Sequence, residues 1–186
     1  MPNWLVPLGA VAVGLALTRD ASGSDGSSTD PFMRWDTQIR QAAQKHRVPW
    51  RWIKAVMMNE SNLGRAPSVA RGLAFPADID GSKSSDGKSW GLMQVTLPTA
   101  REMRPGTTEA DLNNPAISID LGAQYLAKMI ARFGLSNRDS VARAYNGGPG
   151  FMQSERGRTM TAQYLEKFLK NLAEVQKRQP GPELEY

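Results

Sequence analysis

Residues 114–133 read NPAISIDLGAQYLAKMIARF, and this stretch decides the fold class. Asn114 followed by Pro115 has the form of a helix cap and first helical position, where a missing amide proton costs nothing. Ile117, Leu121, Tyr125, Met129 and Phe133 then recur at every fourth residue until Gly134 ends the run.

The same periodicity extends outward in both directions. A first helix fits residues 33–46, after Pro31. Pro49 then opens a second, in which Ile53, Val56, Met57 and Glu60 fall at helical spacing. Downstream, Ser136 to Asp139 (SNRD) has the pattern of a capping box and starts a short helix through Ala144, stopped by NGGPG. Tyr164, Leu165, Phe168, Leu172 and Val175 mark a last amphipathic helix. Sustained strand alternation is missing, so the fold class is mainly α, with room for a small hairpin or irregular region between residues 65 and 95.

The 186 residues suit one domain with an appendage. Residues 4–18, WLVPLGAVAVGLALT, are uncharged and apolar. They read as a membrane-spanning or membrane-inserted helix; a cleaved signal peptide and a buried assembly helix are the competing readings. Residues 1–19 thus form an apolar head, residues 20–31 (DASGSDGSSTDP) a flexible linker, residues 32–178 the folded domain, and residues 179–186 a tail. The net charge of +5 favours an anionic partner, but no basic patch interleaved with aromatics selects nucleic acid. With no cysteine and one histidine, thiol catalysis, zinc thiolate sites and histidine clusters are excluded. His46 lies in a hydrophilic run and reads as solvent-facing surface.

Glu60 is the most informative residue. It shares the apolar stripe of Ile53, Val56 and Met57 in the last turn of its helix. Desolvation there favours the neutral acid, and a helix C-terminus gives a negative charge no support. A protonated carboxyl near neutral pH is what general-acid cleavage of a glycosidic bond requires. A second carboxylate, if one is used, comes from Asp78, Asp80 or Asp86, none of which has a spacing that sets it opposite Glu60. DIDGSKSSDG lacks the glutamate and the ligand spacing of a calcium loop, so neither metal nor cofactor is expected.

SWGLMQ, residues 89–94, sends an aromatic, a glycine and an amide inward from a polar loop. AYNGGPG, residues 144–150, brings a phenol and a carboxamide to a helix end. Tyr145 and Asn146 could hold a sugar, or could be a core residue and a helix cap.

Four ordered stretches carry a resemblance: Glu60-Ser61, GLMQVTLPTA (91–100), NPAISIDLGAQYLAKMI (114–130) and AYNGG (144–148). Together they resemble the catalytic domain of soluble lytic transglycosylases, a family with a lysozyme-like fold close to goose-type lysozyme. The resemblance covers roughly residues 38–175. It implies Glu60 as the single catalytic acid/base and Ser61 as a neighbour that helps position substrate. It also implies Met93 and Gln94 along the cleft, Tyr145 and Asn146 flanking the carboxyl, and Tyr164 as a late cleft tyrosine. Trp90 then reads as an aromatic cleft wall, against the alternative of a core residue. The segment between Glu60 and Gly91 is longer than in simple family members, a form similar to phage-borne and conjugation-associated ones.

The implied substrate is the glycan strand of peptidoglycan, cut between N-acetylmuramic acid and N-acetylglucosamine with a 1,6-anhydro end. The implied location is the bacterial envelope or periplasm, or a phage virion, within a larger envelope, secretion or virion assembly and with membrane contact through residues 4–18. A goose-type hydrolytic muramidase and a non-catalytic wall-binding module are the competing functions.

Overall fold

A computed structural model describes residues 30–65 and 88–186, together with the backbone of two short strands at residues 73–74 and 78–79. The apolar head and most of the linker lie outside the described residues. Among those described, no helix is long and apolar enough to cross a membrane.

The chain is mainly helical, as its periodicity requires. In order come α1 (Asp36–His46), α2 (Trp50–Ser61), β1 (Leu73–Ala74), β2 (Asp78–Ile79), β3 (Ser89–Trp90), β4 (Val95–Thr96), α3 (Leu97–Met103), α4 (Glu109–Asn113), α5 (Pro115–Phe133), α6 (Arg138–Gly147), a single 3-10 turn (Phe151–Gln153), α7 (Glu155–Met160) and α8 (Ala162–Arg178). The expected small hairpin takes the form of two antiparallel strand pairs. Leu73 faces Ile79 in one, and Trp90 faces Val95 in the other.

α2 is the central element. Residues Trp50 to Met57 are all buried, so the helix is enclosed on every side rather than along one stripe. It packs against α8, α1 and α5. Its two buried cations are paired: Lys54 Nζ donates to Asp36 Oδ1 and Gln179 Oε1 at 2.6 Å each, and Arg51 to Glu185 Oε2 at 2.8 Å. Desolvation lowers the Lys54 pKa, and the hydrogen bond and charge of Asp36 act against it.

α5 is capped as its sequence requires. The Asn114 side chain accepts from the amides of Ala116 and Ile117, and Gly134 closes the helix at φ 87°. Its buried face is wider than the every-fourth-residue stripe. Ser118, Ile119, Gly122, Ala123 and Leu126 are buried with Leu121 and Met129, because α1 and α6 cover the helix from different sides.

Three local expectations are corrected. α1 begins at Asp36, since residues 31–35 form turns. α6 begins at Arg138 with no side-chain cap, and Ser136 forms no capping box. Asn137 instead donates from Nδ2 to the Phe133 carbonyl, closing the tight link from α5 to α6. His46 is largely covered and sits 2.7 Å from Asp120 Oδ1, so it is not a solvent-facing residue.

Residues 179–186 contain no helix but pack against the start of α2. The Trp50 amide donates to the Glu185 carbonyl and its indole to Glu185 Oε2, both at 3.0 Å. The Trp52 indole donates to Glu183 Oε1 at 3.0 Å, and Arg51 reaches the Pro182 carbonyl. At the other boundary, Arg178 pairs with Asp30 at 2.6 Å. The folded body therefore extends beyond residues 32–178 at both ends.

Candidate active site

The site is built where α2 stops. Asn62, Leu63 and Gly64 follow with φ of 50°, 57° and 81°, three successive left-handed residues that reverse the chain straight after Ser61. The Ser61 hydroxyl donates to the Met57 carbonyl at 3.2 Å and accepts from the Gly64 amide at 3.1 Å. Ser61 is fully buried, so its hydroxyl serves this turn and keeps Glu60 at the mouth of the helix.

Glu60 is partly buried. Tyr164, in the first turn of α8, donates its hydroxyl to Glu60 Oε1 at 2.7 Å. Burial pushes the Glu60 pKa up to about 7, and the Tyr164 hydrogen bond opposes that rise. Asn59 ties the two helices together: its Nδ2 donates to the Tyr164 carbonyl at 3.0 Å, and its Oδ1 accepts from Asn171.

A cleft of about 300 Å³ opens here. Asn59, Glu60, Asn146 and Tyr164 line it together with Met160, Gln163 and Lys167. The structure thus brings Glu60, Asn146 and Tyr164 together. Asn146 is exposed at the end of α6, where Gly148 stops the helix at φ 80°.

The loop between β3 and β4 supplies the other expected residues. Gly91 turns the chain at φ 75°, and a Cβ there would lie 1.9 Å from the Leu112 carbonyl oxygen. Only glycine fits that approach. Met93 is fully buried; its amide donates to Ser118 Oγ at 3.3 Å, and its carbonyl accepts from the Tyr145 hydroxyl at 2.9 Å. Gln94 holds φ 48° and donates from Nε2 to the Gly91 carbonyl at 2.7 Å.

Tyr145 stacks at a tilt on Tyr125, with ring centroids 5.2 Å apart. Burial raises the Tyr145 pKa well above normal, and the charge of Glu60 adds to it. The phenol is therefore neutral, and its proton is committed to Met93. Gln94 and Tyr145 line a separate cavity of about 40 Å³ with Val95, Thr96, Thr99 and Tyr125. Trp90 is buried within β3 and lines neither cavity, so it packs as core among the described residues.

A larger cavity, of about 650 Å³, is lined by Trp52, residues 135–140, Glu183 and Leu184 and shares no residue with the Glu60 cleft. The cleft is the chemically equipped site, because it holds the acid, its orienting hydroxyl and three amide side chains.

Asp80 and Asp86 lie outside the described residues, and for Asp78 only the strand backbone is described. Among the described residues, no three His, Cys, Asp or Glu side chains gather as a metal site. Asn59, Met160, Gln163 and Lys167 were not anticipated from sequence. Helical spacing from Tyr164 points to Lys167; nothing local marks the others.

Residues 37–168 match the family model described as Transglycosylase SLT domain. The fold is similar to the X-ray structure of an inactive mutant of the lytic transglycosylase Slt from Pseudomonas aeruginosa, with a TM-score of 0.59 and 24% identity. That likeness covers 82% of this chain and 25% of the other, so this chain spans about a quarter of that protein's length. No curated protein matches.

Proposed function

The chain belongs to the transglycosylase SLT domain family, and on that premise we propose that it is a peptidoglycan lytic transglycosylase. It cleaves the β-1,4 bond between N-acetylmuramic acid and N-acetylglucosamine and leaves a 1,6-anhydromuramic end. The observation that carries this reading is the Glu60 carboxyl, raised to a pKa of about 7 at the floor of an open cleft.

Glu60 donates its proton to the glycosidic oxygen as the bond from that oxygen to the anomeric carbon breaks. The carboxylate so formed then takes the proton of the muramic 6-hydroxyl, whose oxygen bonds to the anomeric carbon. One residue acts first as acid and then as base, and a pKa near 7 suits both steps. The internal hydroxyl replaces water at high effective concentration and makes a second enzymatic carboxylate unnecessary. Tyr164 holds the carboxyl in one orientation, leaving its second oxygen to face the sugar. Asn146 offers its amide to hydroxyl or acetamido groups, while Asn59, Ser61, Met93 and Tyr145 support the site from behind.

The net charge of +5 favours approach to an anionic wall polymer. We place the reaction at the bacterial envelope, for local opening of the wall, with contact to the membrane or to a larger assembly through residues 4–18.

Digestion of purified peptidoglycan followed by mass spectrometry tests the reading. Anhydro products are lighter by one water than hydrolysed ones. Water-added products would overturn ring closure in favour of hydrolysis. Intact glycan after prolonged digestion by folded protein would overturn the activity itself.

A further inference from the structure

We propose that Lys167 reads the carboxylates of the peptide stems carried by muramic acid, and so sets which strands enter the Glu60 cleft. The proposal rests on the peptidoglycan reading above. Lys167 follows Tyr164 by three residues in α8, so the cation and the hydroxyl that holds Glu60 lie on one helix face and line one cavity.

Lys167 is exposed and has no ion pair with a described residue. Lys45, Lys54 and Lys128 each have one, with Asp120, Asp36 and Glu102. The residues three and four positions from Lys167 on its helix are Gln163, Tyr164, Lys170 and Asn171, none of them acidic. An uncharged Gln163 stands where a glutamate would neutralise the lysine best.

Lys167 does not tune the acid either. The Glu60 pKa is set by burial, which raises it, and by the Tyr164 hydroxyl, which opposes the rise. The cation is therefore available to a ligand. Met160 lines the same cavity at 60% exposure. A thioether beside a cation fits a group that carries both methyls and carboxylates. The sugar backbone has no carboxylate; the lactyl-linked stem of muramic acid has both.

The test uses the full chain carrying Glu60→Gln, which binds without cutting. Two ligands are titrated by calorimetry at low salt: a neutral N-acetylglucosamine oligomer, and glycan fragments bearing stem peptides. Adding Lys167→Gln should weaken the stem-bearing ligand about five-fold, the upper range for an exposed ion pair, and flatten its salt dependence. Binding of the neutral oligomer should be unchanged, and Lys167→Arg should restore the difference. Equal loss on both ligands, or no loss on either, overturns the role of Lys167. A parent chain without Lys167→Gln that binds neither ligand overturns the peptidoglycan reading and this assignment with it.

Discussion

The Tyr164 hydroxyl donates to Glu60 Oε1 across 2.7 Å, joining residues 104 positions apart on α8 and α2. This contact favours the ionised carboxyl, against the larger effect of burial. Tyr164→Phe should therefore raise the Glu60 pKa above about 7. The basic limb of the kcat/KM profile, which follows loss of the protonated acid, should move to higher pH. The maximum should also fall, by about ten-fold, because the carboxyl loses its fixed orientation. A basic limb that stays in place would separate Tyr164 from the titration of the acid.

The same carboxyl gives a pH dependence of stability. Glu60 in the fold titrates near 7, above the ordinary value of 4.5, so the native state binds the proton more tightly than the unfolded chain. Its contribution is complete below about 4.5 and is lost as pH rises towards about 7. The full span is on the order of 3 kcal/mol. Glu60→Gln should flatten this slope and melt at higher temperature than the parent at pH 8, while losing wall cleavage. Parallel stability curves for the two proteins would argue against a buried, proton-binding Glu60.

Tyr145→Phe should lower both stability and rate. The hydroxyl is the donor to the Met93 carbonyl inside the protein, and its removal leaves a buried acceptor unsatisfied. The cost is about 1–3 kcal/mol. Because Tyr145 directly precedes Asn146, which lines the Glu60 cleft, loosening its ring should reach the cleft as well. Thermal melts and kcat/KM measured together check this; a rate loss with an unchanged melt would mean that the hydroxyl acts on substrate instead.

Gly122→Ala should push Met93 out of place. A Cβ at residue 122 would sit 2.5 Å from the Met93 Cβ, too close for the two side chains to coexist without a shift. Overpacking of this kind costs about 1–3 kcal/mol. The melting temperature should drop and strand cleavage should slow, although Gly122 does not line the cleft. A variant as stable and active as the parent would show that the β3–β4 loop yields freely.

Local chemistry made several elements readable. Asn114-Pro115 caps α5, the apolar spacing of α8 buries Leu165, Phe168, Leu172 and Val175, and Glu60 stands out as a carboxylate on an apolar stripe. What stayed hidden depends on partners far along the chain. Arg51 and Lys54 look like the polar side of an amphipathic helix, yet both are buried, because Glu185 and Gln179 reach them from residues 134 and 125 positions away. Ser136 and Asp139 match a capping pattern, but Asn137 spends its amide on Phe133 and sets a later start. The role of Ser61 was also hidden, since a hydroxyl beside a glutamate at a helix end looks the same in sequence whether it faces a ligand or closes a turn.

The packing of residues 179–186 on the start of α2 has a consequence for the order of events during synthesis. Trp50 leaves the ribosome long before its partner Glu185, which is 135 residues further along. At roughly 5–20 residues per second, that interval lasts on the order of ten seconds. Through it Arg51 has none of its carboxyl-side partners, and Glu60 waits as well for Tyr164 to emerge. A nascent chain therefore carries its acid as an ordinary, hydrated carboxylate. The proton affinity that sets Glu60 apart arises only once translation has passed Tyr164 and the helix that carries it.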